Sequence, residues 1–112
     1  MTPTELAALR AYLGEDSAGQ WDDPDLERTY VAEADDQARR CRIPYTLESG
    51  VVVFVRPPAL LEALLRRVAR NLAMRKVPLG IAMSTDGVDL ARVGGADPEV
   101  RRLEGPYRRM VV

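Results

Sequence analysis

The stretch that decides the fold is residues 59–76, ALLEALLRRVARNLAMRK, which is rich in leucine, alanine and arginine, all good helix formers. When successive residues are placed about 100° apart, five apolar side chains fall within one arc. They are Leu61, Leu64, Leu65, Val68 and Leu72. Arg66 and Arg70 fall on the opposite side, and Pro57 and Pro58 stand where proline permits a helix to begin. The sequence therefore predicts one long amphipathic helix at the centre of the core.

Two helices are predicted before this one from their start signals. The first covers residues 2–14, where Thr2 and Glu5 have the spacing of a capping box. The second begins at residues 22–25, DDPD, and runs to about Arg42. Its acids lie early and its bases late, which is the distribution that the helix dipole favours.

Two segments between the helices have a different character. The β-branched run Val51–Val55 follows Gly50 and indicates either a short strand or a buried extended segment. A lone strand needs a partner, which a neighbouring subunit would supply in a ring. Residues 77–96 hold four glycines and no helical period, so a long loop is predicted there. A last short helix is predicted to begin at residues 97–99, DPE.

Together these elements predict a single, mainly α domain over residues 1–112. We expect a small bundle of about four helices, with one long helix at its centre. A short β segment precedes the central helix in this prediction, and a long loop precedes the last helix.

Composition argues against several classes of function. The chain has no histidine and one cysteine, Cys41, so it lacks the commonest general base and has no intrachain disulfide. The sequence contains no nucleophile elbow, phosphate loop or calcium loop. We therefore expect no enzymatic activity, no cofactor and no bound metal. A signal-peptide pattern and an apolar run of about 18 residues are both absent, so we expect no membrane contact and assembly in the cytoplasm.

Charge is distributed unevenly along the chain, although the net charge is only −1. Residues 1–40 hold ten acids and four bases, a net of −6, and residues 41–112 hold seven acids and twelve bases, a net of +5. Three interpretations fit this asymmetry: a nucleic-acid contact, head-to-tail association of subunits, and two halves that neutralise each other within one fold.

Charged residues supply the candidate contacts. Asp35 and Asp36 cannot share one site, because adjacent residues of a helix point about 100° apart. A solvated face or a contact between subunits fits them better, and we name them, with Arg66 and Arg70, as candidate charge contacts between subunits. Arg66, Arg67 and Arg70 also permit a DNA-binding interpretation, which a pI near 5.5 disfavours. The basic and then apolar C-terminal segment is a candidate protein interface that we expect to be mobile. Its candidate contact residues are Arg101, Arg102, Tyr107, Arg108, Arg109, Met110, Val111 and Val112.

Arg75 is unusual because it falls within the same arc as Leu64 and Val68. A last-turn arginine can extend outwards and bind the carbonyl groups at the helix end. The other interpretation is a buried ion pair with a carboxylate of the acidic half.

Three stretches give the chain a resemblance to a known family. The first is the helix over residues 2–14 with the acidic loop around Trp21 and the Asp-Pro-led helix after it. The second is residues 63–80, ALLRRVARNLAMRKVPLG, and the third is residues 97–112, DPEVRRLEGPYRRMVV. In layout the chain resembles the small head–tail connector proteins (adaptor or head-completion proteins) of long-tailed bacteriophages, of the type found in phages of actinobacteria. The Val51–Val55 run departs from the family in being more β-like.

The resemblance implies a non-catalytic virion protein of the phage neck, at the head–tail junction. Such a subunit assembles with copies of itself, commonly as a dodecamer, on the portal protein after DNA packaging. The ring extends the channel through which packaged DNA passes without sequence-specific contact. It also offers a docking platform for the next neck or tail-terminator protein. The alternatives are a small DNA-binding or regulatory module, and another structural protein such as a tail terminator or a host adaptor.

Overall fold

The computed structural model describes residues 1–75 and 97–109 and contains a mainly helical chain with one small sheet. Its elements in order are α1 (Pro3–Leu13), α2 (Glu15–Ala18), α3 (Asp23–Arg40), β1 (Tyr45–Glu48), β2 (Val51–Phe54), α4 (Pro58–Arg75), α5 (Pro98–Glu104) and a 3-10 turn (Gly105–Tyr107). The predicted mainly α fold is confirmed. The loop predicted at 77–96 lies outside the described residues.

The predicted helix starts are capped as the sequence indicates. The Thr2 hydroxyl accepts a 3.1 Å bond from the backbone N–H of Glu5, and the Glu5 carboxylate accepts a 3.0 Å bond from the backbone N–H of Thr2. Asp22 and Asp97 each accept a 2.9 Å bond from a backbone N–H in the first turn of α3 and α5. Each bond satisfies a donor that the first helical turn leaves without an intrahelical acceptor.

The main core lies where α1, α3 and α4 meet. Its buried side chains are Leu9, Leu26, Tyr30, Leu64, Leu65, Val68 and Leu72. Helices α3 and α4 run antiparallel: Gln37 donates to the carbonyl of Leu60 at 2.9 Å, and Asn71 donates to Glu33 at 2.9 Å. The start of α4 therefore lies beside the end of α3. Four of the five residues predicted to form the core face of α4 are buried in this cluster.

Leu61 was wrongly predicted to be part of the core, since it is 40% exposed. Its neighbours Leu60 and Ala63 are fully buried instead. Leu61 and Leu72 differ by only about 20° around an ideal helix axis. This angle gives a residue's position around the helix axis, but it does not indicate which turns along the axis are covered by another element. Near the start of α4 the cover is a second cluster, made by Cys41, Ile43 and Leu60.

The β-branched run forms β2, and its partner strand belongs to the same chain. Tyr45 of β1 pairs with Phe54 of β2 in an antiparallel hairpin. The two turn residues, Ser49 and Gly50, have φ values of 51° and 78°. Positive φ at both positions matches the twist of a two-residue hairpin. The expectation of a lone strand completed by a neighbouring subunit is therefore wrong, and the buried alternative is also wrong because both strands are exposed.

The segment after α5 is held against the end of α3, which corrects the expectation of mobility for the described part of the tail, residues 107–109. Arg42 donates its backbone N–H to the carbonyl of Tyr107 at 2.7 Å, and Arg109 donates to the carbonyl of Arg40 at 2.9 Å. Helix α3 itself ends at Arg40, two residues before the predicted end. Residues 105–109 are thus part of the folded body.

Replacing Leu64 tests the centre of the core. Leu64→Ala should lower the free energy of unfolding by about 2–5 kcal/mol, because it removes a fully buried side chain and leaves a cavity. Leu61→Ala is the matched control on the same helix and should cost less than about 1 kcal/mol, since that side chain is already exposed. Urea unfolding followed by circular dichroism measures both. Equal losses would contradict the burial described here.

Candidate assembly interface

A buried carboxylate joins the helices that carry the candidate interface. Glu104, in the last turn of α5, is 0% exposed. Arg67 of α4 donates to both of its oxygens, at 2.6 and 2.7 Å, and Gln37 of α3 donates to one of them at 3.0 Å. A bidentate guanidinium–carboxylate pair is among the strongest hydrogen-bonded arrangements in proteins. These bonds compensate a charge that would otherwise be very costly to bury.

The same cluster reaches along α3. Arg67 also donates to Asp36 at 2.7 Å, and Arg40 donates to Asp36 at 3.1 Å. On the other side, the carbonyl oxygen of the Gln37 side chain accepts a 2.7 Å bond from Arg56, which lies just before α4. The cluster therefore ties α3, α4, α5 and the segment before α4 together through side-chain hydrogen bonds.

The protonation of the cluster follows from these contacts. Burial alone would raise the pKa of Glu104, but hydrogen bonds from Arg67 and Gln37 outweigh it and hold that pKa below its ordinary value. The pKa of Asp36 is lowered in the same way, because the Arg67 hydrogen bond and the Arg40 charge outweigh its partial burial. Burial opposes the charge of Arg67, yet the two carboxylates raise its pKa. All three groups are therefore charged at neutral pH.

At least three of the four residues predicted to make charge contacts between subunits make them within the chain. Asp35 lies 3.9 Å from Arg39 of the same helix. Asp36 is bound by Arg67, and Arg66 lies 3.7 Å from the Asp97 carboxylate. Asp35 is exposed, and Arg70 lines a recess beside α3. Asp36 and Glu33 of the acidic first half thus meet Arg67 of the basic second half inside one subunit, as the third interpretation of the charge asymmetry expects. Arg66 and Asp97 both belong to the second half.

The C-terminal candidates divide into packed and exposed residues. The Tyr107 ring packs against the second cluster, and Arg108 lies 3.4 Å from a Glu104 oxygen. Arg101 and Arg109 are exposed, as is Arg102, which pairs with Glu99 of its own helix. Met110, Val111 and Val112 lie outside the described residues.

A recess of about 550 Å³ opens between α3, α4 and α5. Five arginines and three acids line it among the described residues. Arg67 is engaged by Glu104 and Asp36, while Arg75 is exposed and donates to Asn71 at 3.1 Å. The buried ion pair considered for Arg75 is thus made by Arg67 instead.

Over residues 1–75 and 97–109, no group of three or more cysteine or acidic side chains could hold a metal ion.

The hairpin presents the clearest apolar surface of the described chain. Strand alternation and the observed register place four side chains on one side of it. This apolar hairpin face consists of Tyr45, Leu47, Val52 and Phe54, which are 60%, 65%, 51% and 44% exposed. Thr46, Glu48, Val51 and Val53 occupy the other side. Contiguous exposed apolar patches typically mark interaction sites.

Sequence reasoning missed both the buried pair and the hairpin face. Glu104 follows the buried Val100 by one helical turn, which places both on one side of α5. The alternation of residues 45–48, YTLE, before Ser49 and Gly50 resembles a strand and a turn. The Val100–Glu104 spacing and the alternation of residues 45–48 were visible in the sequence. Each pattern is short, and neither indicates that Arg67 binds Glu104 or that β2 pairs with β1.

Comparison with protein-family models, curated proteins and solved structures finds no match to this chain. Among the described helices, none combines the length and the apolar composition needed to cross a membrane.

Removing one partner of the buried pair should strongly destabilise the fold. Arg67→Met leaves the Glu104 carboxylate buried without its main donor, so we expect the free energy of unfolding to fall by about 3–5 kcal/mol. Arg75→Met, at the exposed last residue of the same helix, should change it by no more than about 0.5 kcal/mol. Combining Arg67→Met with Glu104→Leu should recover part of the loss. Chemical denaturation measures all three, and a small effect of Arg67→Met would contradict the role assigned to the pair.

Acid should weaken the fold through the same carboxylate. The pKa of Glu104 is lower in the folded chain than in the unfolded chain, so the unfolded chain binds more protons between the two values. The stabilisation is fully present above the ordinary glutamate pKa, about 4.3, and is lost as the pH falls through the lower folded value. Urea midpoints measured from neutral pH downwards should therefore fall less steeply in Glu104→Gln. Parallel curves for the two proteins would count against this assignment.

Proposed function

We propose that this chain is a head-to-tail adaptor subunit of a long-tailed bacteriophage. In this proposal it assembles with copies of itself into a ring on the portal protein, extends the DNA channel and provides a docking platform for the next neck or tail protein. Assembly takes place in the host cytoplasm, and the protein functions in the neck of the virion.

The observation that carries the assembly part is the apolar hairpin face. Its four side chains are exposed, whereas other apolar side chains of the chain are buried in two clusters. A two-stranded hairpin is only marginally stable in water by itself, so covering one face with protein would stabilise it. In an assembly, a neighbouring subunit would provide such a cover.

The phage part of the proposal is supported by the layout that underlies the resemblance. The capped α1, the Asp22-capped α3, the long α4 and the Asp97-capped α5 are the helices that the three stretches behind the resemblance predict.

The DNA-binding alternative is disfavoured by the positions of the arginines of α4. Arg67 is engaged by Glu104 and Asp36, and Arg66 lies beside Asp97. Neither guanidinium is presented as part of a basic face for phosphate contacts.

Portal binding tests the proposal directly. The purified chain is incubated with portal rings of the phage whose genome encodes it, and complexes are separated by density-gradient centrifugation and imaged by electron microscopy. We expect a ring of this chain on the portal. Failure to bind portal, with salt-sensitive binding to duplex DNA instead, would favour the regulatory alternative.

The C-terminal residues allow a sharper version of the same experiment. Deleting residues 110–112 should leave the fold intact and weaken portal binding, because these apolar residues follow the docked segment. Deleting residues 107–112 should also lower the free energy of unfolding, since Tyr107 and Arg109 hold the end of α3. Thermal unfolding separates the two effects. Unchanged portal binding by the shorter deletion would remove residues 110–112 from the interface.

A further inference from the structure

The antiparallel pair α3–α4 has two ends of opposite character. Helix α3 has 18 residues, so its ends lie about 27 Å apart at 1.5 Å per residue. The hairpin leaves from the end of α3 and returns to the start of α4. The segment between α1 and α3 lies at the other end, beside the last turns of α4. A surface at one end is therefore out of contact with a surface at the other end of the same subunit.

The hairpin end is apolar and basic. It carries the apolar hairpin face, and residues 39–47 hold three arginines and no acid. Residues 105–109, which pair with the end of α3, add two arginines and no acid. Arg39, Arg40, Arg42 and Arg109 are exposed around the base of the hairpin. Arg39 and Arg40 also pair with Asp35 and Asp36 of α3, so the charge argument rests mainly on Arg42 and Arg109.

The opposite end is apolar and acidic. A groove of about 290 Å³ lies between α1, α2 and α4, lined by residues that include Tyr12, Trp21, Leu72 and Ala73. Residues 15–28, which border it, hold six acids and one base. Glu15, Asp16 and Asp22 are exposed there.

We propose that the apolar hairpin face of one subunit docks into the apolar groove between α1, α2 and α4 of a second copy of this chain. The arginines at the base of the hairpin then face the acids that border the groove. The contact is a more specific form of the proposed function and rests on it, because it names the surface through which ring subunits meet.

Charge and the positions of the two surfaces identify the occupant as a second copy of the chain. The two ends are complementary in charge, and each places its apolar surface beside the charged border. The hairpin of a subunit cannot enter its own groove, because the groove lies at the far end of the α3–α4 pair. Each subunit therefore uses its hairpin on one neighbour and its groove on the other. Such a heterologous contact closes into a ring when the rotation permits and otherwise propagates as a filament.

Cross-linking between two different single variants tests the contact. Val52→Cys, on the apolar hairpin face, is mixed with Ala73→Cys, at the groove, and treated with a short bismaleimide. The matched control replaces Ala73→Cys with Ala32→Cys, an exposed alanine in the middle of α3. The native Cys41 is fully buried and present in all samples, and the unmodified chain measures its background. The reaction is run on the chain alone at high concentration and on the chain bound to portal rings.

We expect the hairpin–groove pair to yield at least about tenfold more mixed dimer than the control pair, in one or both conditions. Equal yields, or no link under either condition, would overturn the proposal. A dominant link between two Val52→Cys copies would also overturn it, because the hairpins would then meet each other. A link from Val52→Cys to portal would assign the hairpin to that partner instead.

Two aspartate variants on opposite sides of β2 refine the test. Val52→Asp puts a charge on the apolar hairpin face, and Val53→Asp puts the same charge on the other side of the same strand. Val52→Asp removes an apolar side chain from the contact and would bury a charge there, so it should weaken self-association at least about tenfold. Val53→Asp should leave it within about twofold. Equal effects of the two variants would contradict docking through this face.

The outcomes separate this contact from the proposed function. If the Val52→Asp variant still forms normal rings on the portal, the hairpin contact would be overturned and the adaptor function would stand. A hairpin–groove cross-link in the chain alone, without any portal binding, would support the contact and overturn the adaptor function.

Discussion

The burial of one carboxylate governs how this chain packs. Glu104 has no access to solvent, and its charge is compensated by the fork of Arg67 and the amide of Gln37. These donors come from two other helices, so the charge is satisfied only when α3, α4 and α5 are all in place. Buried charges are poor sources of net stability, but losing one partner is costly, which makes such a cluster selective for one arrangement.

This arrangement pairs charges of the two halves in the last turns of α3, and the two ends of the α3–α4 pair differ in the charges that stay exposed. Asp36 and Arg40 are engaged near the cluster, while the acids before α3 and the arginines after it remain exposed. Each end also carries apolar surface, as the hairpin face or as the groove. A body built in this way has complementary surfaces facing in opposite directions, the geometry that head-to-tail assembly requires.

Some of these features were accessible from the sequence and others were not. The starts of α1, α3 and α5 were predicted correctly because capping depends on residues two or three positions apart. Helix α2 was missed: it lies in a segment predicted to be an acidic loop, and no side chain caps it. Four residues of the α4 core face were predicted from periodicity, but Leu61 was not, because periodicity carries no information on where a covering element stops. Mobility was wrongly predicted for residues 107–109, since their partners lie more than sixty residues away, at Arg40 and Arg42. The hairpin was read as a lone strand because β1 is only four residues long.

By itself, the sequence determined the local structure: where the helices begin, that α4 is the central amphipathic helix, and that the chain has an acidic first half and a basic second half. Each of these depends on residues close together along the chain. Only the tertiary structure decided that Arg67, rather than Arg75, makes the buried ion pair, and that the apolar hairpin face and the groove lie at opposite ends. These features depend on which distant segments meet, and that is decided by burying apolar side chains while satisfying every buried charge.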